Sequence, residues 1–317
     1  MTRRPPIFNS QFPVFNFQFL AFALGLLSLL APQSRAATSS GYAIAKGVYC
    51  PNRISTPHFA LEFSADPDDG AEYAALCERA YRHLSRVFTS AKGGPVWSGK
   101  CQVYLFATHA EFVRFAWNVH KSAAGVASGG YTRISKKDPA IVLFLREDDA
   151  VMSHQTLVHE MTHVFLGLFY KAAPLPTWVQ EGCAQYFEFR YVPSRSRLAL
   201  ARQTTKKLVE TGRYAPLREF SGRAFGPTDL PSYCQAWSLL DFLINGKAGS
   251  PARASQFIVL LKDGKPQDEA LRVAYGTDFP RLEAAWKEYV LATYRRPLVL
   301  PRDDEAALKP ISNGRGH

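Results

Sequence analysis

The residues best suited to chemistry are the run His159-Glu160-Met161-Thr162-His163. On a helix, residues four apart lie on one face, so His159 and His163 can present two imidazoles to a single metal ion. Glu160 is then placed to take a proton from a metal-bound water and to pass it to the leaving amine. A catalytic zinc ion takes three protein ligands, and two histidines with one glutamate are a known set. The pattern predicts metal-assisted hydrolysis and favours a peptide bond as the substrate.

The third ligand is predicted to be Glu181. Two prolines within residues 171–176 prevent the first helix from continuing. We interpret Thr177 and Gln180, three residues apart, as a capping box at the start of a new helix. A short connection favours an antiparallel return, which would bring Glu181 alongside His163. The alternative is that Glu181 is an ordinary first-turn carboxylate, which the helix dipole favours.

The helix that carries the two histidines is predicted over residues 151–170. Apolar side chains surround it almost completely, which is typical of a buried helix. Ionisable groups are seldom fully buried unless they are paired or bound to a metal, so the histidines and Glu160 require such a partner. The alternative is two exposed histidines beside a surface glutamate.

These segments resemble the gluzincin metallopeptidases, the clan of thermolysin and the zinc aminopeptidases, and within it the small peptidase-MA-like domains. The shared pattern is H-E-x-x-H followed by W-x-x-E-G-x-A, which corresponds here to His159, Glu160, His163, Trp178, Glu181, Gly182 and Ala184. The resemblance covers about residues 155–190 and implies a zinc metallopeptidase with one Zn²⁺ per chain. The G-x-M-E-N segment of the aminopeptidases is absent, so the resemblance does not support an exopeptidase role. Position 169 is Phe where the metzincin pattern requires histidine, which excludes that clan.

Two further side chains are candidates for supporting roles. Gln185, four residues after Glu181, lies on the same helical face and is placed to support the ligands. The resemblance implies an oxyanion donor from the downstream helical region, and Tyr233, at the start of a predicted helix, is similar to that residue. The competing tyrosines are Tyr186, Tyr214 and Tyr275.

The N-terminus is predicted to be a signal peptide over residues 1–36. Arg3 and Arg4 precede an apolar run, Phe19–Ala31, and small residues favour cleavage after Ala36. The predicted location is therefore periplasmic or extracellular. An uncleaved membrane anchor is the alternative.

The net charge of the chain indicates which classes of partner it could bind. The formal net charge of the 317-residue chain is +11. Removal of residues 1–36, which contain three arginines and no acidic residue, lowers it to +8. Such a surplus is compatible with an anionic envelope surface or with ordinary solubility charge. No basic run interleaved with aromatic residues indicates nucleic-acid binding.

The expected fold class is α+β, with an N-terminal α/β lobe, a C-terminal helical lobe and the zinc helix in the cleft between them. We expect one peptidase domain over residues 37–294, divided into lobes 37–150 and 151–294, followed by a polar tail, 295–317. Strands are predicted at His58–Ala65, Cys101–Ala107 and Ile141–Leu145. Helices are predicted within 73–87 and at 109–117, 196–210, 232–245, 254–261, 268–275 and 279–294. The resemblance implies that an edge strand just before the zinc helix binds the substrate backbone. Residues 129–134 and residues 141–145 are the two candidates for this edge strand.

Five cysteines remain after export, and an oxidising compartment makes pairing plausible. If Glu181 and Tyr233 converge on one ion, their neighbours Cys183 and Cys234 lie close enough to form a disulfide. We therefore predict that bond, with Cys50, Cys77 and Cys101 as competing partners.

Two other functions remain open at this point. One is a non-catalytic envelope-binding protein on a peptidase scaffold, against which the intact ligand set argues. The other is a zinc amidase that acts on cell-wall material, which the basic surplus would suit. The predicted partner is otherwise a peptide or protein substrate, and the oligomeric state is left open.

Overall fold

The fold is described from a computed structural model that covers residues 50–88, 96–122, 128–170, 173–226 and 229–298. The predicted signal peptide lies outside these residues, as does the predicted tail beyond Leu298. Within the described residues, no helix combines the length and the apolar character that crossing a bilayer requires.

The strands form one small mixed sheet. They are β1 (Asn52–Ser55), β2 (Phe59–Phe63), β3 (Cys101–Phe106), β4 (Gly130–Arg133) and β5 (Ala140–Phe144). Their order across the sheet is β1-β2-β3-β5-β4. The central strands β2, β3 and β5 run parallel, while β1 and β4 pair antiparallel at the two edges. The sheet and the helices around it give the expected α+β class.

The three predicted strands correspond to β2, β3 and β5 and differ from them only at their ends. These strands are found because their buried residues recur in apolar runs. β1 was not predicted, since it has only four residues, which alternate between half-buried and exposed. β4 lies within the Gly-rich stretch proposed as an edge, whereas β5 is flanked by β3 and β4. The edge position therefore belongs to residues 130–133 and not to 141–145.

Helices cover both faces of the sheet. α1 (Pro67–Phe88) packs against β1 and β2, and α3 (Ala150–Leu168) packs against β4 and β5. On the other face, α2 (His109–Asn118) packs Phe112 and Phe115 with Phe106, Tyr131 and Val142 in a separate small core.

Helix α3 is the buried helix that the sequence predicts. Every residue from Met152 to Leu166 is buried. Its N-terminus is capped by Asp149, whose side chain accepts a hydrogen bond from the Met152 N–H at 2.8 Å. Its C-terminus is capped by Lys262, whose ammonium group donates to the Phe169 carbonyl at 2.9 Å.

The chain after α3 is helical throughout its described part. The helices are α4 (Thr177–Tyr191), α5 (Arg195–Glu210), α6 (Leu217–Gly222), α7 (Leu230–Asn245), α8 (Pro251–Lys262), α9 (Gln267–Tyr275) and α10 (Phe279–Thr293). All except the short α6 were predicted, with ends that differ by a few residues. The division into two lobes at residue 150 stays a prediction.

The capping box at the start of α4 was a wrong prediction. Pro176 occupies the cap position, and no side chain caps the helix. Thr177 is already inside the helix, and the Gln180 side chain donates to the Leu175 carbonyl at 2.8 Å. The helix still begins within one residue of the predicted start, Trp178, because proline is tolerated at the beginning of a helix but not in its interior.

The predicted disulfide between Cys183 and Cys234 is also wrong, since all five cysteines are free thiols. Although α4 and α7 pack closely, the two thiols have different neighbours. The Cys234 thiol lies beside Thr204 of α5, whereas Cys183 lies toward Tyr275 of α9.

Candidate metal centre

Helix α3 presents His159, Glu160 and His163 within a single turn. Their side chains are nearly inaccessible, with exposed fractions of 2%, 0% and 1%. The two imidazole rings lie next to each other, with centroids 4.9 Å apart. The i, i+4 spacing thus places both rings on one buried face, as the sequence predicts.

Glu181, in the first part of α4, completes the group. Its Oε2 lies 3.4 Å from His159 Nε2 and 3.7 Å from His163 Nε2. One atom from each of the three residues lies within 4.8 Å of the other two, a spacing that can hold a metal ion. Tetrahedral zinc with bonds of about 2.0–2.1 Å separates its ligand atoms by about 3.4 Å, so the residues fit that ion.

Buried polar atoms around this point lack hydrogen bonds within the described residues. They include His159 Nε2, both carboxylate oxygens of Glu181 and both of Glu160. A buried polar group without a partner costs about 1–3 kcal/mol, and a charged group costs more. A cation bound by His159 and Glu181 would satisfy the polar atoms of these two residues.

Glu188, two turns after Glu181 on α4, holds the other nitrogen of His159. Its Oε2 lies 2.9 Å from His159 Nδ1. An ionised carboxylate only accepts hydrogen bonds, so Nδ1 must be the donor. This leaves the Nε2 of a neutral His159 with a free electron pair directed at Glu181 and the metal position.

An arginine supports Glu188 in turn. Arg197, near the start of α5, lies 2.7 Å from Glu188 Oε1 and also donates to the Gln155 side-chain oxygen. Gln155 donates to the Val192 carbonyl at 2.6 Å. The chain of contacts ties α3, the end of α4 and α5 together around His159.

Burial and charge set the protonation of the site without a cation. Burial lowers the pKa of His159, but the Glu181 and Glu188 carboxylates outweigh it and raise that pKa to about 10. Burial lowers the pKa of His163 to about 4. His163 is therefore neutral at pH 7, as a ligand must be, and a metal ion must displace one proton from His159.

Glu160 differs from the ligands in its environment. Burial raises its pKa to about 8; the charge of His159 opposes that effect and the Glu181 carboxylate adds to it. A metal cation would lower this pKa and favour the ionised form.

Tyr233, at the start of α7, faces the same site. Burial raises its pKa well above the ordinary value, and the carboxylates of Glu181 and Glu160 are the next causes. Its hydroxyl therefore stays protonated and can donate a hydrogen bond.

The three competing tyrosines are engaged elsewhere. The Tyr186 hydroxyl accepts from Asn245, that of Tyr214 donates to Glu283, and that of Tyr275 donates to the Leu243 carbonyl. Tyr233 is therefore the tyrosine of the four that the structure brings to the candidate metal centre.

Close packing of α4 against α7 brings Glu181 and Tyr233 together. A Cβ on Gly182 would lie 2.6 Å from the Ala236 carbonyl oxygen, closer than real contacts allow. Glycine at position 182 is thus needed for the two helices to approach each other. This explains why glycine follows glutamate in the motif.

The edge strand β4 runs beside Glu160. A Cβ on Gly130 would lie 2.9 Å from Thr156 Cγ2 and 3.4 Å from Glu160 Cγ. Thr132, two residues along β4, is buried, and its hydroxyl acts to lower the pKa of Glu160. An extended peptide added to this edge would therefore pass next to Glu160.

Comparison with known families agrees with this geometry. The family model of the peptidase MA superfamily matches residues 120–292, more than half of the chain. The chain belongs to the peptidase MA superfamily. The match spans β4, β5 and all the helices from α3 to the end of the described fold. Comparison with curated proteins gives no significant match.

Members of the peptidase MA superfamily generally bind zinc, and His159, His163 and Glu181 are the residues of this peptidase MA chain that can hold it. Sequence reasoning missed Glu188 and Arg197. The available signal was spacing, since Glu188 follows Glu181 by two helical turns. Gln185, the predicted supporting residue, is buried, and its side-chain oxygen has no hydrogen-bond partner among the described residues.

Proposed function

We propose that this protein is a zinc-dependent metallopeptidase that hydrolyses peptide bonds. The observation that carries the proposal is the convergence of His159, His163 and Glu181 on one buried point beside Glu160. Bound zinc would lower the pKa of a water and polarise the scissile carbonyl.

Glu160 is the general base in this proposal. It shares the turn of α3 with both histidines but is not in the ligand group. Its ionised form, which a bound cation would favour, suits a carboxylate that accepts a proton from water and then donates it to the leaving amine.

Tyr233 is proposed to donate a hydrogen bond to the oxyanion that forms at the scissile carbon. Its protonated state at working pH and its position next to Glu160 and Glu181 support this role. The edge of β4 is proposed to hold the substrate backbone in extended form, which places the scissile bond beside Glu160.

Export is part of the proposal and rests on residues 1–36 alone. Periplasmic or extracellular location would make envelope or secreted proteins the available substrates. Mass determination of the N-terminus of the secreted protein tests it, with a new terminus at Ala37 as the expected result.

A proteome-derived peptide library tests the activity. The wild-type protein should cleave peptides, lose activity after chelation and recover it when zinc is restored. A parallel digestion of purified cell-wall material separates a peptidase from an amidase. Cleavage of cell-wall cross-links alone would refute the peptidase assignment, and no cleavage of either material by zinc-loaded protein would refute catalysis.

A further inference from the structure

Arg146 lies at the start of β4, the strand that runs beside Glu160, and neither the ligand set nor the proposed mechanism uses it. It follows β5 by two residues, and its guanidinium lies over the Phe144 ring at 4.9 Å from the centroid. Its backbone N–H donates to the Ser153 hydroxyl at 2.9 Å. The start of α3 thus fixes the backbone from which this arginine extends.

The guanidinium reaches the beginning of β4. A Cβ on Gly129 would lie 3.0 Å from Arg146 Nη2 and 3.6 Å from Thr156 Oγ1. A Cβ on Gly130, one residue later, would meet Thr156 and Glu160 instead. Gly129 and Gly130 are adjacent at the start of β4, so the guanidinium lies about one residue along the strand from the point beside Glu160.

The direction of β4 decides which part of a substrate meets this arginine. β4 runs from Gly130 to Arg133, and no other described strand pairs with its outer edge. A peptide added antiparallel to this edge points its C-terminal half toward Gly129. At about 3.4 Å per residue, the guanidinium is reached by the first or second residue after the scissile bond.

We propose that Arg146 determines specificity by binding a substrate carboxylate on the C-terminal side of the cleaved bond. This rests on the proposed function, since it takes the scissile bond to lie beside Glu160. Guanidinium binds carboxylate through two parallel hydrogen bonds, a geometry that lysine and amides do not reproduce. The carboxylate has two sources, the side chain of Asp or Glu and the free C-terminus of a short peptide.

Other charged groups also act on Arg146. The carboxylates of Asp148 and Asp149 act on Arg146 from the turn before α3, and Arg197 acts as a like charge. Arg197 is bound to Glu188, so Arg146 is the arginine directed at β4.

The test compares three versions of one pentapeptide library. One has a free C-terminus and no acidic residue, one is amidated and not acidic, and one is amidated with Glu at the fourth position. Wild type should prefer one or both carboxylate-bearing versions in kcat/KM by about 10- to 100-fold, the range for hydrogen bonds to charged groups. The version preferred identifies the source of the carboxylate.

Arg146→Gln should abolish the preference while cleavage of the amidated, non-acidic library stays unchanged. Arg146→Lys should keep only part of the preference. Arg281→Gln, which removes an equal charge from an 80% exposed side chain on α10, is the control and should behave as wild type. An equal preference in wild type and Arg146→Gln, or none in wild type, would overturn the proposal.

A binding measurement distinguishes a failure of the Arg146 proposal from a failure of the proposed peptidase function. Zinc-loaded Glu160→Gln, with and without Arg146→Gln, is titrated calorimetrically with the same libraries. Binding that depends on the carboxylate and is lost in the Arg146→Gln variant would support the specificity site, whether or not the wild type cleaves peptides. Absence of cleavage by the wild type would contradict only the proposed peptidase activity. Equal affinity for the libraries with and without a carboxylate would contradict only the Arg146 proposal.

Discussion

Glu188 accepts a hydrogen bond from His159 Nδ1 at 2.9 Å, although the two residues are 29 positions apart in the chain. The contact fixes the ring so that Nε2 faces Glu181. Arg197, 2.7 Å from the other carboxylate oxygen, holds Glu188 in place. The ligand geometry at the candidate metal centre thus depends on residues outside the H-E-x-x-H motif.

Replacement of Glu188 should weaken zinc binding. Glu188→Ala removes the acceptor of the Nδ1 proton, and loss of such a partner typically lowers metal affinity about 10- to 100-fold. Glu188→Gln keeps an acceptor oxygen and should lose less. Competition with a zinc chelator measures both, with Glu210→Gln on the exposed side of α5 as the control. Equal affinity in wild type and Glu188→Ala would show that the contact does not support the ligand.

Tyr233→Phe should lower kcat by about 10²- to 10³-fold and leave KM nearly unchanged, as for loss of one oxyanion donor. The hydroxyl is the only group removed, and its raised pKa keeps it protonated in the wild type. Steady-state kinetics on one cleaved peptide measures the effect. Tyr186→Phe is the matched control, because that hydroxyl contacts Asn245. An effect on KM alone would assign Tyr233 a packing or binding role.

Much of the candidate metal centre could be predicted from the sequence because its spacing is local. His159 and His163 share a helical face by their spacing, and the prolines before α4 force the return that brings Glu181 to them. Glu188 was missed because its spacing places it on the same face of α4 as Glu181 but does not identify its partner, which lies 29 positions earlier in the chain. The disulfide failed for a related reason, since neighbouring positions on a helix point in different directions.

The elements of the fold that could be predicted are likewise those with a local pattern in the sequence. Long apolar strands and amphipathic helices were predicted within a few residues, whereas β1 and α6 were missed because each is too short to show a period.

Lys262 should give the stability of the protein a distinct pH dependence. Burial lowers the pKa of its ammonium group to about 8 in the folded chain, below the ordinary 10.5. Between these pH values the unfolded chain binds more protons, so this group adds stability as the pH rises from 8 toward 10.5.

Urea unfolding of metal-free wild type and Lys262→Met at pH 7.5 and pH 10 measures this effect. The wild type should gain roughly 2 kcal/mol relative to the variant over that interval, because one pKa unit corresponds to about 1.4 kcal/mol. Other titrating groups are common to both proteins and cancel in the difference. Parallel pH profiles would contradict a depressed pKa for Lys262.

The most direct test of the proposed peptidase mechanism is the zinc content and peptidase activity of Glu160→Gln measured on the same sample. Because Glu160 is not among the ligand atoms, the variant should bind about one zinc per chain, like the wild type. Its kcat should fall at least about 100-fold, since the general base is lost. His163→Ala, which removes a ligand, should instead lose the zinc. Near-wild-type cleavage by zinc-loaded Glu160→Gln would contradict the assignment of Glu160 as the general base.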